Sequence, residues 1–408
     1  MADIRDPIHG FIEIEPLSDV LDCRVMQRLR RIRQLARADL VYPGLMHSRF
    51  EHSLGVLHVA SEMFRRLGLK EKEDALRAAA LLHDVGHGPF SHVFEGVAGY
   101  DHEKATRRII LEDGELDTAL GKAGIDTQDI IDILEKNDLL HYIISSPLDA
   151  DKVDYLQRDS YHTGVAYGVF DYDLLLHTLT VIEDPRGKYL GLKEKGIQNA
   201  MSFVLARHLM HVQVYRHHVR RITDSMLRRA IEYARLDGIL PAGLFEVRAS
   251  DFLACHLQYD DEAVCHRALE SEGRSKALFQ AIRDRALFKK AFDLPIDESI
   301  DASRRRRLEK LQDDGAGRLG LERRIAEIAN TDPERIIVDV MRAKNPLSPH
   351  VSDESEIMVR MDDGSIRNLT EVLPFQSTRP ITMDLLVICP KSCRDAVREA
   401  AQKVVGSF

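Results

Sequence analysis

From residue 1 to about residue 235, apolar residues recur at spacings of three and four, the period of a helix with one buried face. The recurrence is clearest over Val25–Leu40, Phe50–Leu67, Glu73–Leu82, His102–Glu112, Ser146–Tyr161 and Gly196–Tyr233, and predicts a helix over each. Gly68 supplies a stop signal after one of them, and Asp101 can cap the helix that begins at His102. Two stretches break the pattern. Ile4–Glu15 alternates apolar and polar residues and reads as a short hairpin, and Thr180–Lys193 reads as two strands about a Pro185-Arg186-Gly187 turn. Residues 248–330 are charged and read as helical, with four arginines at Arg304–Arg307. Strand-like pieces then follow at Ile336–Val340, Ile357–Met361 and Met383–Cys389, with a last helix over about 391–405. The expected fold is mainly α, a helical bundle with a short N-terminal hairpin and a small C-terminal α+β appendage. Its expected divisions are a core over 1–240, a charged helical region over 241–330 and the appendage over 331–408.

Composition excludes several classes. Of 408 residues, 44% are hydrophobic and 30% charged, so the chain is globular rather than disordered or fibrous. A net charge of −9 argues against a protein that coats nucleic acid or anionic membrane nonspecifically. No run approaches the roughly 18 apolar residues of a membrane span. The start MADIRDPIHG lacks a secretory pattern, and the five cysteines fall in no CxxC pair. A reduced, cytoplasmic compartment is expected.

Histidines are unevenly spread. Seven of the 18 lie between His47 and His102 and four more between His208 and His218. Imidazole is both a common metal ligand and an acid–base group near neutrality. The sharpest pattern is Leu82-His83-Asp84-Val85-Gly86-His87, an apolar helix ending in adjacent imidazole and carboxylate. With His52 before it and Asp151 after it, the order H…HD…D offers N and O donors suited to a divalent cation, with Mn, Fe, Zn and Mg all open.

These stretches, with DPIHGFIEI, QRLRRIRQL, HSRFEHSLGV, HDVGHGPFSH, DADKVDYLQRDSYHTG and RHLMHVQVYRHHVRR, resemble the HD-domain dNTP triphosphohydrolases. That family is related to the vertebrate sterile-alpha-motif/HD-domain dNTPase; no sterile-alpha-motif region is expected here. The likeness covers most of residues 3–235 and implies an HD-domain bundle. It makes His52, His83, Asp84 and Asp151 the metal ligands, and His87, His92, Glu95 and His102 the proton-handling group, with Glu95 where the vertebrate relative has aspartate. It sets Arg49, Lys152, Arg207 and His211 on the triphosphate. It places Tyr155 and Asp159 by the sugar, and Gln34 and Tyr215 against the 2′ position. The spacings Asp151-Tyr155-Asp159 and Arg207-His211-Tyr215 read as stripes along two helices.

The implied reaction releases deoxynucleoside and inorganic triphosphate from a dNTP. Asp22, Gln27 and Arg30 match residues that read guanine at an activator site, and Lys193 and Lys195 fall where activator phosphates need cations. GTP or dGTP is therefore the expected activator, although the segment near Leu174 is apolar where the regulated relative is basic. Such sites lie between subunits, so a dimer or tetramer is expected. Two other readings are an HD phosphohydrolase acting on a nucleoside monophosphate, cyclic dinucleotide or alarmone, and a nucleic-acid-binding regulatory HD protein using Arg304–Arg307 and Arg216–Arg221. Gln34, Tyr155, Asp159 and Tyr215 disfavour the first, and the intact H…HD…D set disfavours the second.

Overall fold

The computed structural model describes residues 3–136, 138–185, 187–342, 357–372 and 383–407. It is mainly α. The N-terminal hairpin pairs Asp3–Asp6 with Gly10–Glu13, register Ile4 to Ile12. The helices Arg49–Arg66, Glu73–Leu82 and Ala150–Thr163 pack together behind it. Close approach explains Gly55: a Cβ there would lie 1.8 Å from Asp154 Oδ1, so only glycine lets the first and third of these helices meet.

Four helix expectations are corrected. Val25–Leu40 is not one helix. It is a short helix Arg24–Arg28 and a 3₁₀ turn Leu29–Arg31, after which Ile32 is extended and a second 3₁₀ turn forms at Ala38–Leu40. Backbone pairing overrides propensity here, because Arg49 N donates to Ile32 O at 2.9 Å and Gln34 N to His47 O at 3.2 Å. Gly196–Tyr233 is two helices, Ile197–Met210 and His218–Leu236, separated by a π turn at His211–Tyr215. Residues 248–330 are not helical throughout, since Lys289–Ile296 is a strand. The helix expected from Ser146 begins at Ala150, because Asp149 caps it by accepting from Lys152 N at 2.7 Å and from Ser146 N at 2.8 Å.

The second hairpin, Leu179–Asp184 with Gly187–Lys193, forms as expected; Arg186 in its turn lies outside the described residues. Met358–Arg360 joins that hairpin in parallel, Leu192 against Val359, so this strand belongs to the body of the protein and not to the appendage sheet. The appendage sheet places Met383–Cys389 between Lys289–Ile296 and Ile337–Arg342. Strand alternation gives it two buried faces. Ile337, Leu386 and Ile388 join the main core, whereas Val338, Val340, Leu385, Val387 and Cys389 face a second core. The second core is built with the helices Ala302–Lys310, Gly315–Ala329 and Arg394–Gly406. Residues 252–288 contribute to the main core and residues 291–326 to the second, so the interval 241–330 is shared between them. All five cysteines are free thiols, and among the described residues no helix is long and apolar enough to cross a membrane.

Candidate active site

The helix Glu73–Leu82 is buried from Ala75 onward and delivers His83 and Asp84 at its unwinding end. Ring nitrogens of His52 and His83 and a carboxylate oxygen of Asp84 lie within 4.8 Å of one another. His52 Nδ1 is 2.8 Å from Asp154 Oδ2, and His83 Nδ1 is 2.7 Å from Ala80 O. Each Nδ1 is therefore occupied as a donor, so Nε2 is the atom that takes up either a proton or a cation. Both Nε2 atoms are buried without a hydrogen-bond partner among the described residues. His52 Nε2 stands 3.0 Å from Asp151 Oδ1 and 3.7 Å from Asp84 Oδ2. Two orphaned imidazole nitrogens facing two carboxylates fit a divalent cation.

Electrostatics agree. Burial pulls His52 down, but Asp151 and Asp154 outweigh it and carry its pKa up to about 10. Burial pushes Asp151 up, and His52, His83 and Lys152 bring it to about 2. Asp84, opposed by burial, is held well below the ordinary carboxylate range by Arg49, His83 and His87. The cluster is poised for positive charge.

Beside it lies the second imidazole group. His87 and His102 stack with ring centroids 4.0 Å apart, and His87 Nε2 is 3.2 Å from Asp84 Oδ1. Glu95 takes His92 Nδ1 on one oxygen at 2.6 Å and His102 Nδ1 on the other. Burial, Arg49 and His102 hold His87 well below the usual imidazole value. Burial also lowers His102, yet Glu95 outweighs it and raises the ring overall. Two stacked imidazoles are thus pushed in opposite directions, the arrangement that favours one as acid and the other as base.

The Glu95–His102 pair carries a pH prediction. A raised His102 contributes stability fully below its unfolded value of about 6.5 and loses it as pH rises through the raised midpoint. A depressed Glu95 contributes above about 4.3 and loses it as pH falls through the lowered midpoint. The stability deficit of Glu95→Gln, measured by urea unfolding across pH, is expected to be largest between about pH 4.3 and 6.5. It then shrinks at alkaline pH; a deficit that grows above about pH 8 contradicts the pairing.

A cavity of about 760 Å³ opens on these groups, lined by Gln34, Arg49, His83, Asp84, His87, His92, His102, Asp151 and Tyr155. Arg49 is buried, donating from Nε to Ser91 Oγ at 2.8 Å and from Nη1 to Asp84 Oδ2. Lys152 Nζ rests on Asp149 Oδ2 at 2.6 Å, and Arg207 is buried near Tyr155 and Lys152. The Asp151-Tyr155-Asp159 stripe holds on one helix. Tyr215 Oη donates to Asp159 Oδ2 at 2.7 Å, and its ring is 6.2 Å from Tyr155 and 5.1 Å from His211. Burial and the Asp159 charge keep the Tyr215 phenol well above its usual value, so it stays a donor. The π turn alters the expected Arg207-His211-Tyr215 stripe, because its wider winding shifts Tyr215 out of α-helical register.

Gln27 joins the other two expected activator residues, with Nε2 donating at 2.8 Å to Leu21 O, beside Asp22. Asp22 is exposed and lines a separate depression with Asp19, Cys23, Glu115 and Lys122. Gln27 accepts from Arg30 Nε at 2.8 Å, and Arg30 covers the Phe50 ring. Lys195 Nζ is 3.2 Å from His177 Nε2.

Sequence reading missed a buried layer behind the ligands. Asp154 receives His9 at 2.7 Å, His52 at 2.8 Å and two Arg158 nitrogens at 2.9 Å each; Arg158 Nη1 reaches Asp6 Oδ2 at 2.9 Å. The signal available was the i, i+4 spacing of Asp154 and Arg158 with Asp151 one turn earlier. His47, also without an assigned role, sits 2.8 Å from Asp159 Oδ1 and stacks on His162. Ser91 lies within HDVGHGPFSH without an assigned role, and Asp261 carried no signal.

A helical bundle that gathers histidine and aspartate at an unwound helix end defines a class of metal-site proteins, and sequence comparison agrees. An HD domain matches residues 49–159 and an HD associated region matches residues 170–406. The chain belongs to the HD-domain family, in the group whose HD domain is followed by an HD associated region. It is 40% identical over 243 residues to the YwfO protein of Bacillus subtilis, covering 57% of this chain and 55% of that protein. It is 33% identical over 277 residues to the deoxynucleoside triphosphate triphosphohydrolase SAMHD1 of Bos taurus, covering 56% and 47%. The chain thus spans about half the length of these curated relatives. A phosphohydrolase structure from Bacteroides thetaiotaomicron matches with a TM-score of 0.76 at 26% identity, covering 96% of this chain and 99% of that one.

Proposed function

We propose that the protein is a metal-dependent phosphohydrolase that converts deoxynucleoside triphosphates to deoxynucleoside and inorganic triphosphate. The observation that carries the sugar preference is the Tyr215–Asp159 hydrogen bond of 2.7 Å, beside Tyr155 on the helix that also bears Asp151. Asp159 is an acceptor for a 3′-hydroxyl. The half-buried Tyr215 and Tyr155 rings, beside Gln34, crowd the 2′ position, where burying an extra hydroxyl unpaired costs about 1–3 kcal/mol.

His52, His83, Asp84 and Asp151 would hold the cation, which supplies Lewis-acid polarisation and lowers the pKa of bound water. The chain's own groups do the rest. Arg49, Lys152, Arg207 and His211 meet the phosphate charge. Water adds to the α-phosphorus, the bond from phosphorus to O5′ breaks, and O5′ needs a proton. His92 and His102, whose Nδ1 atoms rest on Glu95, present Nε2 as the atom that delivers it. His87, neutral and stacked on His102, keeps the pair from sharing a second positive charge.

A nucleic-acid role is less well supported by the arginine clusters. Arg221 is buried against Asp339 and Asp384, Arg304 donates to Val405 O, and Arg305 lies near Glu309.

The test is product analysis by anion-exchange chromatography after incubation with dGTP and Mn²⁺. Tripolyphosphate and deoxyguanosine are expected in equal amounts; orthophosphate or pyrophosphate would sink the reading. The proposal extends to activation by GTP or dGTP and to a dimer or tetramer. Adding GTP to a dATP assay should then raise the rate, and light scattering should report assembly.

A further inference from the structure

We infer that Asp261 is a positioning residue for the His92–Glu95–His102 group, acting through the turn at Phe90–Ser91. Asp261 opens the helix Asp261–Glu270, far along the chain from the site, and its side chain is buried. One carboxylate oxygen accepts from Phe90 N at 2.6 Å and the other from Arg33 N at 3.0 Å. A single carboxylate therefore joins the segment after His87 to the segment that carries Gln34.

What it holds is a conformation the chain does not favour. Phe90 has φ +62° and Ser91 φ +56°, left-handed values at two residues that are not glycine. Such a turn persists only where its surroundings fix it. Ser91 is fixed on its other side, with Oγ accepting from Arg49 Nε at 2.8 Å and donating to Arg33 O at 2.7 Å. The helix His92–Glu95 starts at the next residue, so the direction of the turn sets where His92 and Glu95 stand, and Glu95 in turn holds His102. Tyr259, two residues before Asp261, supports the other end. Arg28 is fully buried and spans from Tyr259 O, at 2.9 and 3.1 Å, to His87 O at 2.8 Å. Residues 259–261 thereby grip the His87–Ser91 segment at both ends without touching the cavity.

The inference rests on the proton-delivering role proposed for His92 and His102. Its test is arranged to stand apart from any substrate. Asp261→Asn keeps the shape but turns an amide donor toward one of the two backbone N–H groups, so one bond is lost. In histidine-resolved NMR of this variant, the ring signals of His92 and His102 are expected to move and those of His9 and His58 to stay. With dGTP and Mn²⁺, kcat is expected to fall tenfold or more, while KM and the Mn²⁺ dissociation constant remain within threefold. A merely structural role would shift metal affinity and the His9 and His58 signals together with kcat. A folded variant with unmoved His92 and His102 signals overturns the inference. Moved signals in a protein that never hydrolyses dNTPs support it and reject the substrate reading alone. Should the variant not fold, amide exchange in the unaltered protein decides. Slow exchange at Phe90 and Arg33 is expected, and rapid exchange at Phe90 overturns the inference.

Discussion

Asp84→Ala is expected to lower kcat/KM by at least about 10⁴, equivalent to about 5.5 kcal/mol of transition-state stabilisation. Asp84 is shared by more partners than any other carboxylate of the site. Its oxygens lie 3.2 Å from His87, 3.5 Å from His83 and 3.7 Å from His52, and one receives Arg49. Removing it deletes one donor from the cation site. It also leaves the Arg49 guanidinium, which is only 2% exposed, without its anionic partner. Asp84→Asn keeps the volume and one acceptor oxygen but not the charge, so it shows how much of the loss is due to charge rather than to an emptied site. Mn²⁺ titration calorimetry should show binding lost or severely weakened in both variants, with circular dichroism confirming the fold. Turnover within tenfold of the unaltered protein, or undiminished Mn²⁺ affinity, would remove Asp84 from the metal set.

Much of this site is legible in the sequence because its first layer lies on helices of regular period. His83 and Asp84 end an apolar run, and Asp151, Tyr155 and Asp159 fall on one face at i, i+4, i+8, so spacing alone brings them together. The errors fall where long-range pairing decides the backbone. Nothing local in Val25–Leu40 announces that Ile32 and Gln34 will pair with residues 47–49, and a helical pattern continues through a stretch the fold extends. The π turn at His211–Tyr215 is equally hidden, because one altered turn changes where Tyr215 points without changing the apolar pattern. The strand Lys289–Ile296 lies in a charged stretch and becomes a strand only through its partner Met383–Cys389, almost 90 residues later.

These unpredicted features are mechanically linked to the site. The helix His218–Leu236 begins directly after the π turn. It is tied to the C-terminal sheet by Arg221 with Asp339 and Asp384, and to the helix Gly315–Ala329 by Arg229 with Glu322 at 2.8 Å. Arg220 Nη1 donates to Tyr215 O at 2.9 Å within the same join. The C-terminal third, which belongs to the HD associated region, therefore meets the body next to the segment that carries Tyr215, and this gives it a physical connection to the residue proposed to read the sugar.

The second large effect belongs to Asp154, a residue that touches no substrate. Asp154 and Arg158 have no exposed side-chain surface, and Asp154 is the only residue that receives His9, His52 and Arg158 together among the described residues. Asp154→Ala strands the Arg158 charge with Asp6 as its remaining partner and leaves His9 Nε2 and His52 Nδ1 without acceptors. Breaking a buried pair in this way costs about 3–5 kcal/mol, far more than an exposed pair, whose loss costs about 0–1 kcal/mol. Urea unfolding should show the loss as a lower midpoint with an unchanged slope. The same substitution frees the His52 ring to rotate or change tautomer, and outer-layer partners of this kind are worth about 10–100-fold in metal affinity. Both effects are expected in one protein, so Arg24→Ala serves as the control, because Arg24 pairs with Glu115 at an exposed position. A stability loss no larger than that of the control, or Mn²⁺ affinity within threefold of the unaltered protein, would mean that His52 is oriented by packing alone.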